Sequence, residues 1–164
     1  MRPLRVYVDT SVFGGMFDPE YVEDTRRFFQ EVDKGRFKIV ASEYVVKEIA
    51  PAPQDVKGFF ELYLSIIELL DDSMEVRRLT DLYLAHKVLT EKYRTDASHV
   101  AYATIYACTG LVSWNFKHIV HPDKCMLFNV VNASQGYPLL FITSPEEITT
   151  YGNEWKIILH WLVA

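Results

Sequence analysis

Four oxygen-bearing side chains stand where chemistry could gather: Asp9, Glu48, Asp96 and Asn115. Asp9 follows the apolar run Leu4-Arg5-Val6-Tyr7-Val8, whose β-branched and aromatic content suits a strand and whose length is too short for a helix. Glu48 falls on a short helical run after a second strand, Asp96 sits at a helix start, and Asn115 follows the apolar stretch Leu111-Val112-Ser113-Trp114. In a parallel α/β sheet the carboxyl ends of the strands and the N-termini of the helices share one edge, where ligands bind. Three carboxylates meeting there repel one another unless a cation neutralises them. Hard oxygen ligands with no cysteine or histidine among them suit Mg²⁺ or Mn²⁺. Such an ion can activate water and hold a phosphate oxygen, which is the chemistry of phosphodiester hydrolysis. Singly, each acid has a plainer reading: Asp9 opens a turn, Asp96 complements a helix dipole, and Glu48 is a solvated helix-face carboxylate. Their joint order points to a site.

The elements that must position these residues alternate between strand and helix. After the first strand, Gly14-Gly15 predicts a flexible turn. A helix from about Tyr21 to Asp33 follows, with Gly35 as its stop, and then a strand over Phe37 to Ala41. Ser42 is a good N-cap for a helix from Glu43 to Ile49, which Pro51 and Pro53 close. A helical hairpin is expected next. Its first arm runs from about Asp55 to Leu70, although the end from Ile66 could be a strand, and its second runs from Met74 to Tyr93. His86 on that second arm reads as a packed or rim histidine. Thr95 caps a further helix that continues through Cys108 to a stop at Gly110. A strand from Leu111 to Trp114, a helix from Pro122 to Ser134, a strand from Leu139 to Thr143 and a helical turn after Ser144 complete the pattern. Trp155 to Val163 is a C-terminal apolar segment. The alternation predicts one domain over residues 1–164, a three-layer α/β/α fold with a mainly parallel central sheet.

Composition narrows the partners. At 164 residues and 49% hydrophobic content, the chain is long enough to bury a sizeable core. No apolar run reaches the roughly 18 residues needed to span a bilayer, and Met1-Arg2-Pro3-Leu4-Arg5 lacks the apolar stretch of a secretory signal. Two cysteines, Cys108 and Cys125, make no disulfide framework, so a reducing cytoplasmic location is expected, with no membrane partner. A net charge of −5 argues against a broad nucleic-acid-coating surface, yet leaves room for a local basic rim, to which Lys47, Lys92 and Arg94 could contribute.

The segments Val8-Asp9-Thr10-Ser11, Ser42-Glu43-Tyr44-Val45-Val46-Lys47-Glu48-Ile49, Thr95-Asp96-Ala97-Ser98-His99-Val100-Ala101 and Leu111-Val112-Ser113-Trp114-Asn115-Phe116-Lys117-His118-Ile119 are each weak signals, but their order and spacing are specific. Together they resemble the PIN domain, the nuclease fold that includes VapC-type toxins, over most of the chain from Val6 to about Ile142. The resemblance implies an Mg²⁺- or Mn²⁺-dependent endoribonuclease, with Asp9, Glu48 and Asp96 as metal-binding acids and Asn115 as the fourth site residue. Ser11 and Ser113 would position ligands or water; Lys117 and His118, whose plainer reading is solvated loop charges, could meet a substrate phosphate. It further implies an RNA substrate and, for a toxin, a small antitoxin covering the acidic cleft and a homodimer. Asn115 departs from the pattern, because the Ser-x-Asn position often carries an acid in the family. An amide can ligate a metal or hold a water but brings no charge, so a second ion would be held weakly.

Rival readings remain. A catalytically degenerate PIN-like module that binds RNA or a protein without cleaving would also account for Asn115. His118, His121 and Cys125 suggest zinc superficially, but no fourth ligand is evident. A phosphatase of the haloacid-dehalogenase type would need an Asp where Ser11 stands, and the first turn lacks the glycine pattern for a dinucleotide.

Overall fold

The computed structural model describes residues 2–150, so the apolar segment from Trp155 to Val163 lies outside the described residues. Five strands, β1 (Leu4–Val8), β2 (Phe37–Ser42), β3 (Glu68–Leu70), β4 (Gly110–Val112) and β5 (Phe141–Thr143), alternate with eight helices among the described residues. These are α1 (Thr10–Gly15), α2 (Val22–Asp33), α3 (Glu43–Ile49), α4 (Gln54–Tyr63), α5 (Met74–Ala85), α6 (Arg94–Ile105), α7 (Pro122–Ser134) and α8 (Pro145–Thr150). All strand pairings are parallel, and the order across the sheet is β3-β2-β1-β4-β5. The chain therefore builds outward from β1 in one direction, then returns to place β4 on its other side. That reversal makes the carboxyl ends of β1 and β4 the topological switch point, the place where an open α/β sheet leaves a crevice.

Side chains alternate across a strand, so one sheet serves two helix layers. Leu4, Val6, Phe37 and Ile39 share a face through the β1–β2 register, and Phe28 of α2 stacks on Phe37 there. Tyr7 points to the opposite face, where it meets His99 and Tyr102 of α6. α6 lies on β1 and β4 and packs along α5, while α2 packs against α8 and α1. The core is fully closed around Val6, Tyr7, Val8, Phe13, Ile39 and Leu111. The expected three-layer α/β/α arrangement is the one observed, and its sheet is wholly parallel among the described strands.

Several local expectations are corrected. Gly14 and Gly15 do not form a loose turn; they close α1, which starts immediately after Asp9. Gly15 is needed there because a Cβ would sit 2.6 Å from Thr25 Oγ1 and 2.7 Å from Trp114 Nε1. The helical hairpin is shorter than expected: α4 stops at Tyr63 and α5 at Ala85, and of the two readings of the first arm's end the strand is the one observed, at Glu68–Leu70. α6 opens at Arg94 without a Thr95 cap, fed directly from the 3₁₀ turn Glu91–Tyr93, and it ends at Ile105 rather than continuing through Cys108. His86 is exposed at the C-terminal cap of α5.

Helix endings explain two of these differences. α2 and α7 end in paired bonds that wrap the last carbonyls, Arg36 N–H to Glu31 O with Gly35 N–H to Val32 O, and Tyr137 N–H to Asn132 O with Gly136 N–H to Ala133 O. Both need a left-handed residue, supplied by Gly35 at φ 76° and Gly136 at φ 80°. α5 and α6 end the same way, through Val88 N–H to Tyr83 O and Cys108 N–H to Ala103 O. There the left-handed positions are held by Lys87 at φ 57° and Ala107 at φ 53°. A side chain in that conformation costs roughly 1–2 kcal/mol, and no glycine marks the stop.

Candidate functional site

Asp9 is the first residue beyond β1, in extended backbone at the start of α1. Its carboxylate does not cap the helix. Ser11 Oγ donates to Oδ1 at 2.5 Å and Ser113 Oγ donates to Oδ2 at 2.6 Å. The hydroxyls are themselves oriented, because Trp114 N–H donates to Ser11 Oγ and Asn115 N–H donates to Ser113 Oγ, both at 2.9 Å. Each serine oxygen thus accepts from the backbone after β4 and sends its own proton to Asp9. The pair ties the two strand ends of the switch point through one carboxylate. Asp9 is only 4% exposed. Burial pushes its carboxyl above the ordinary aspartate value and the Glu48 charge adds to this, against the pull of His99, Ser11 and Ser113.

Glu48 lies on α3, whose entry is set by Ser42 accepting from Tyr44 N–H. Its Oε1 is 2.6 Å from His99 Nε2. His99, 2% exposed, has its Nδ1 2.6 Å from the Tyr7 hydroxyl, which lies 2.7 Å from Ser42 Oγ. A closed chain of hydrogen bonds therefore runs from the end of α3 through α6 and β1 back to the start of α3. Burial pushes the Glu48 carboxyl up, but the hydrogen bond and charge of His99, with a smaller contribution from Thr10, more than reverse this and hold it below the ordinary range. The Thr10 hydroxyl is close enough to act on Glu48, yet it is buried without a well-formed hydrogen bond.

Asp96, in the first turn of α6, stands 3.0 Å from His118 Nδ1 through Oδ2. The His118 ring packs on Tyr93 at a centroid distance of 3.7 Å. Asn115 Oδ1 accepts from His118 N–H at 2.9 Å, closing the turn that delivers His118 to Asp96. Asn115 is thus a turn-forming residue as well as a site neighbour. Lys117, in the same turn, is exposed.

The expected site residues therefore fall into three linked sets: Asp9 with Ser11 and Ser113, Glu48 with His99, and Asp96 with His118 and Asn115. Asp9 and Glu48 are near enough to feel one another's charge. No group of three His, Cys, Asp or Glu side chains among the described residues stands together as a ready metal site. In kind, the donors suit a hard cation: a buried carboxylate raised partly by a second one, with an unpaired Thr10 hydroxyl beside them. The His118, His121 and Cys125 set forms no metal centre either; His118 is taken by Asp96, and Cys125 Sγ contacts Ile119 O.

His99, Tyr7 and Tyr93 were not singled out from sequence. The available signal for His99 was its place three residues after Asp96, on the same side of one helix. Tyr7 carried none, because an aromatic residue in a strand reads as core.

Among the described residues this is an α/β fold with a five-stranded, wholly parallel sheet, consistent with a PIN-like fold. Its structure is similar to a chain in the crystal structure of VapBC2 from Rickettsia felis bound to a DNA fragment from their promoter. The two superpose with a TM-score of 0.56 and 15% sequence identity, over 86% of this chain and 98% of that one. No protein-family model and no curated protein matches the sequence. Among the described residues, no helix is long and apolar enough to cross a membrane.

Proposed function

We propose that the protein is a metal-dependent endoribonuclease hydrolysing RNA phosphodiesters, and the toxin of a toxin–antitoxin pair. The observation that carries this reading is the placement of buried Asp9 at the switch point, clamped by hydroxyls from both strand ends and within electrostatic reach of Glu48. Asp9, Glu48 and Asp96 would hold Mg²⁺ or Mn²⁺. When bound, the cation neutralises the acids and supplies Lewis acidity toward water and a phosphate oxygen. Ser11 and Ser113 keep the Asp9 carboxylate in one orientation. His99 restrains Glu48, and Asn115 shapes the turn that brings His118 and Lys117 to the same edge, where they meet substrate phosphate. The similarity in fold to the VapBC2 structure supports an antitoxin partner as part of this reading; a homodimer belongs to the reading as an expectation from the sequence.

A second reading, a catalytically degenerate module that binds RNA or protein, is favoured by the lack of a ready three-ligand cluster among the described residues and by the uncharged Asn115. Incubation of an RNA pool with wild type and Asp9→Asn in Mn²⁺ tests the first reading. Cleavage by wild type and none by the variant is expected; full activity in the variant sinks the assignment. Calorimetry separates the second reading, for which no Asp9-dependent Mn²⁺ binding is expected.

A further inference from the structure

On the far side of His118, the partner of Asp96, lies a cleft of about 280 Å³ whose walls include Lys87, Lys117, Lys124, Tyr93 and His118. Three cations converging on one cleft is unusual placement in a chain of net charge −5. Lys34, Lys38 and Lys47 are paired with carboxylates, but none of the three cleft lysines forms an ion pair among the described residues. Local structure fixes where each starts, although the Lys87 and Lys117 side chains are exposed. Lys87 is held in left-handed backbone at the end of α5, a conformation that favours glycine. Lys124, in the first turn of α7, donates through Nζ to Val88 O at 2.6 Å, which fixes its ammonium on the cleft wall. Lys117 extends from the turn that Asn115 closes. His118 joins the cleft to the acid edge, because it lines the one and contacts Asp96 in the other.

We propose that this cleft is a phosphate-binding subsite that takes the backbone of single-stranded RNA flanking the scissile phosphodiester. The proposal rests on the ribonuclease reading and names how its substrate is held. Lysine ammonium groups bind phosphate as point charges, with little regard for base identity. Tyr93, half-buried on the wall, packs on His118 and has the Lys92 ammonium 5.5 Å from its ring centre, which adds a further cation beside a groove of the kind that tracks the backbone of an unpaired strand. The volume is on the scale of a small-ligand pocket.

The test is fluorescence anisotropy of a 5′-labelled single-stranded oligoribonucleotide, measured in EDTA over a range of salt so that binding is read without cleavage. Lys117→Gln, the double variant Lys117→Gln/Lys124→Gln and a distant control, Lys57→Gln, are compared with wild type. The double variant is expected to bind at least about tenfold more weakly, and to flatten the slope of log K against log salt by roughly 1.4, at about 0.7 per lost phosphate contact. The exposed single variant should lie between, and the control should match wild type. Unchanged affinity and slope in the double variant overturn the subsite and leave the nuclease reading standing. Equal competition by duplex RNA overturns the single-strand assignment. Failure of wild type to bind any RNA also overturns the subsite, and Mn²⁺-dependent cleavage then judges the nuclease reading separately.

Discussion

His99 Nε2 lies 2.6 Å from Glu48 Oε1, and its other ring nitrogen lies 2.6 Å from the Tyr7 hydroxyl. A buried imidazole with partners on both nitrogens is fixed in position and cannot turn away without leaving polar atoms unsatisfied. His99→Ala would leave the buried Tyr7 hydroxyl with Ser42 alone and would free Glu48 from its partner. A destabilisation of about 1–3 kcal/mol is expected from the lost buried hydrogen bonding, read as a lower melting temperature by circular dichroism. His99→Gln, which can bond on one side, should recover part of it. Equal melting of all three proteins would show that the chain of bonds contributes nothing.

Asp9 makes the metal-free protein sensitive to pH. Its folded carboxyl is raised by burial, so the native state binds the proton more readily than the unfolded state does. The stability linked to Asp9 is therefore complete below the ordinary aspartate range and is lost as pH rises through the raised value. In EDTA, the melting temperature of wild type is expected to fall more steeply from acid to neutral pH than that of Asp9→Asn, which has no carboxyl to titrate at this position. Adding Mn²⁺ should raise the melting temperature of wild type but not of the variant, because only a ligand bound to the native state stabilises it.

Asn115 separates charge from turn geometry. Asn115→Asp keeps an oxygen to accept from His118 N–H and adds a carboxylate to the acid edge. Stability is expected within about 0.5 kcal/mol of wild type, as for a substitution that removes no packing, with tighter Mn²⁺ binding in calorimetry. Asn115→Ala should lose about 1 kcal/mol with the turn bond and bind Mn²⁺ no better than wild type. Tighter binding in the alanine variant would remove charge as the explanation.

Gly15 carries a steric constraint that reaches the site. A Cβ there would strike the hydrogen bond from Trp114 Nε1–H to Thr25 Oγ1, which spans 2.9 Å. Trp114 lies between Ser113 and Asn115, so the strain would pass to the residues that orient Asp9. Gly15→Ala is expected to cost about 1–3 kcal/mol by overpacking, whereas Gly14→Ala, with open space around its Cβ position, should be neutral or mildly stabilising. Chemical denaturation of the two variants measures the difference.

Lys87 and Ala107 hold left-handed positions that glycine would fill without strain. Ala107→Gly and Lys87→Gly should each change stability by less than about 1 kcal/mol, since relief of strain is offset by the larger unfolded-state entropy of glycine. Only Lys87→Gly is expected to weaken RNA binding in the anisotropy measurement.

Local chemistry was legible wherever a residue type has one strong reason to be at its position. Ser42 capped the helix as expected, Gly35 and Gly136 ended theirs, α7 ran from Pro122 to Ser134, and alternating apolar runs marked the parallel sheet. The ends of α5 and α6 were not legible, because Lys87 and Ala107 adopt a conformation that their side chains disfavour and that only packing and the closing hydrogen bonds enforce. The same division holds at the site. Sequence put Asp9 and Asn115 after strand ends, Asp96 at a helix start and Glu48 on the helix after the second strand, and from these places expected one shared edge. Which groups each would face was decided by tertiary structure alone: two serines from opposite sides of the switch point for Asp9, a buried histidine for Glu48, and His118 for Asp96. Apart from Ser11, two positions from Asp9, these partners lie from 22 positions apart, for Asp96 and His118, to 104, for Asp9 and Ser113, on elements that meet only once the sheet has formed, so no local pattern along the chain encodes them.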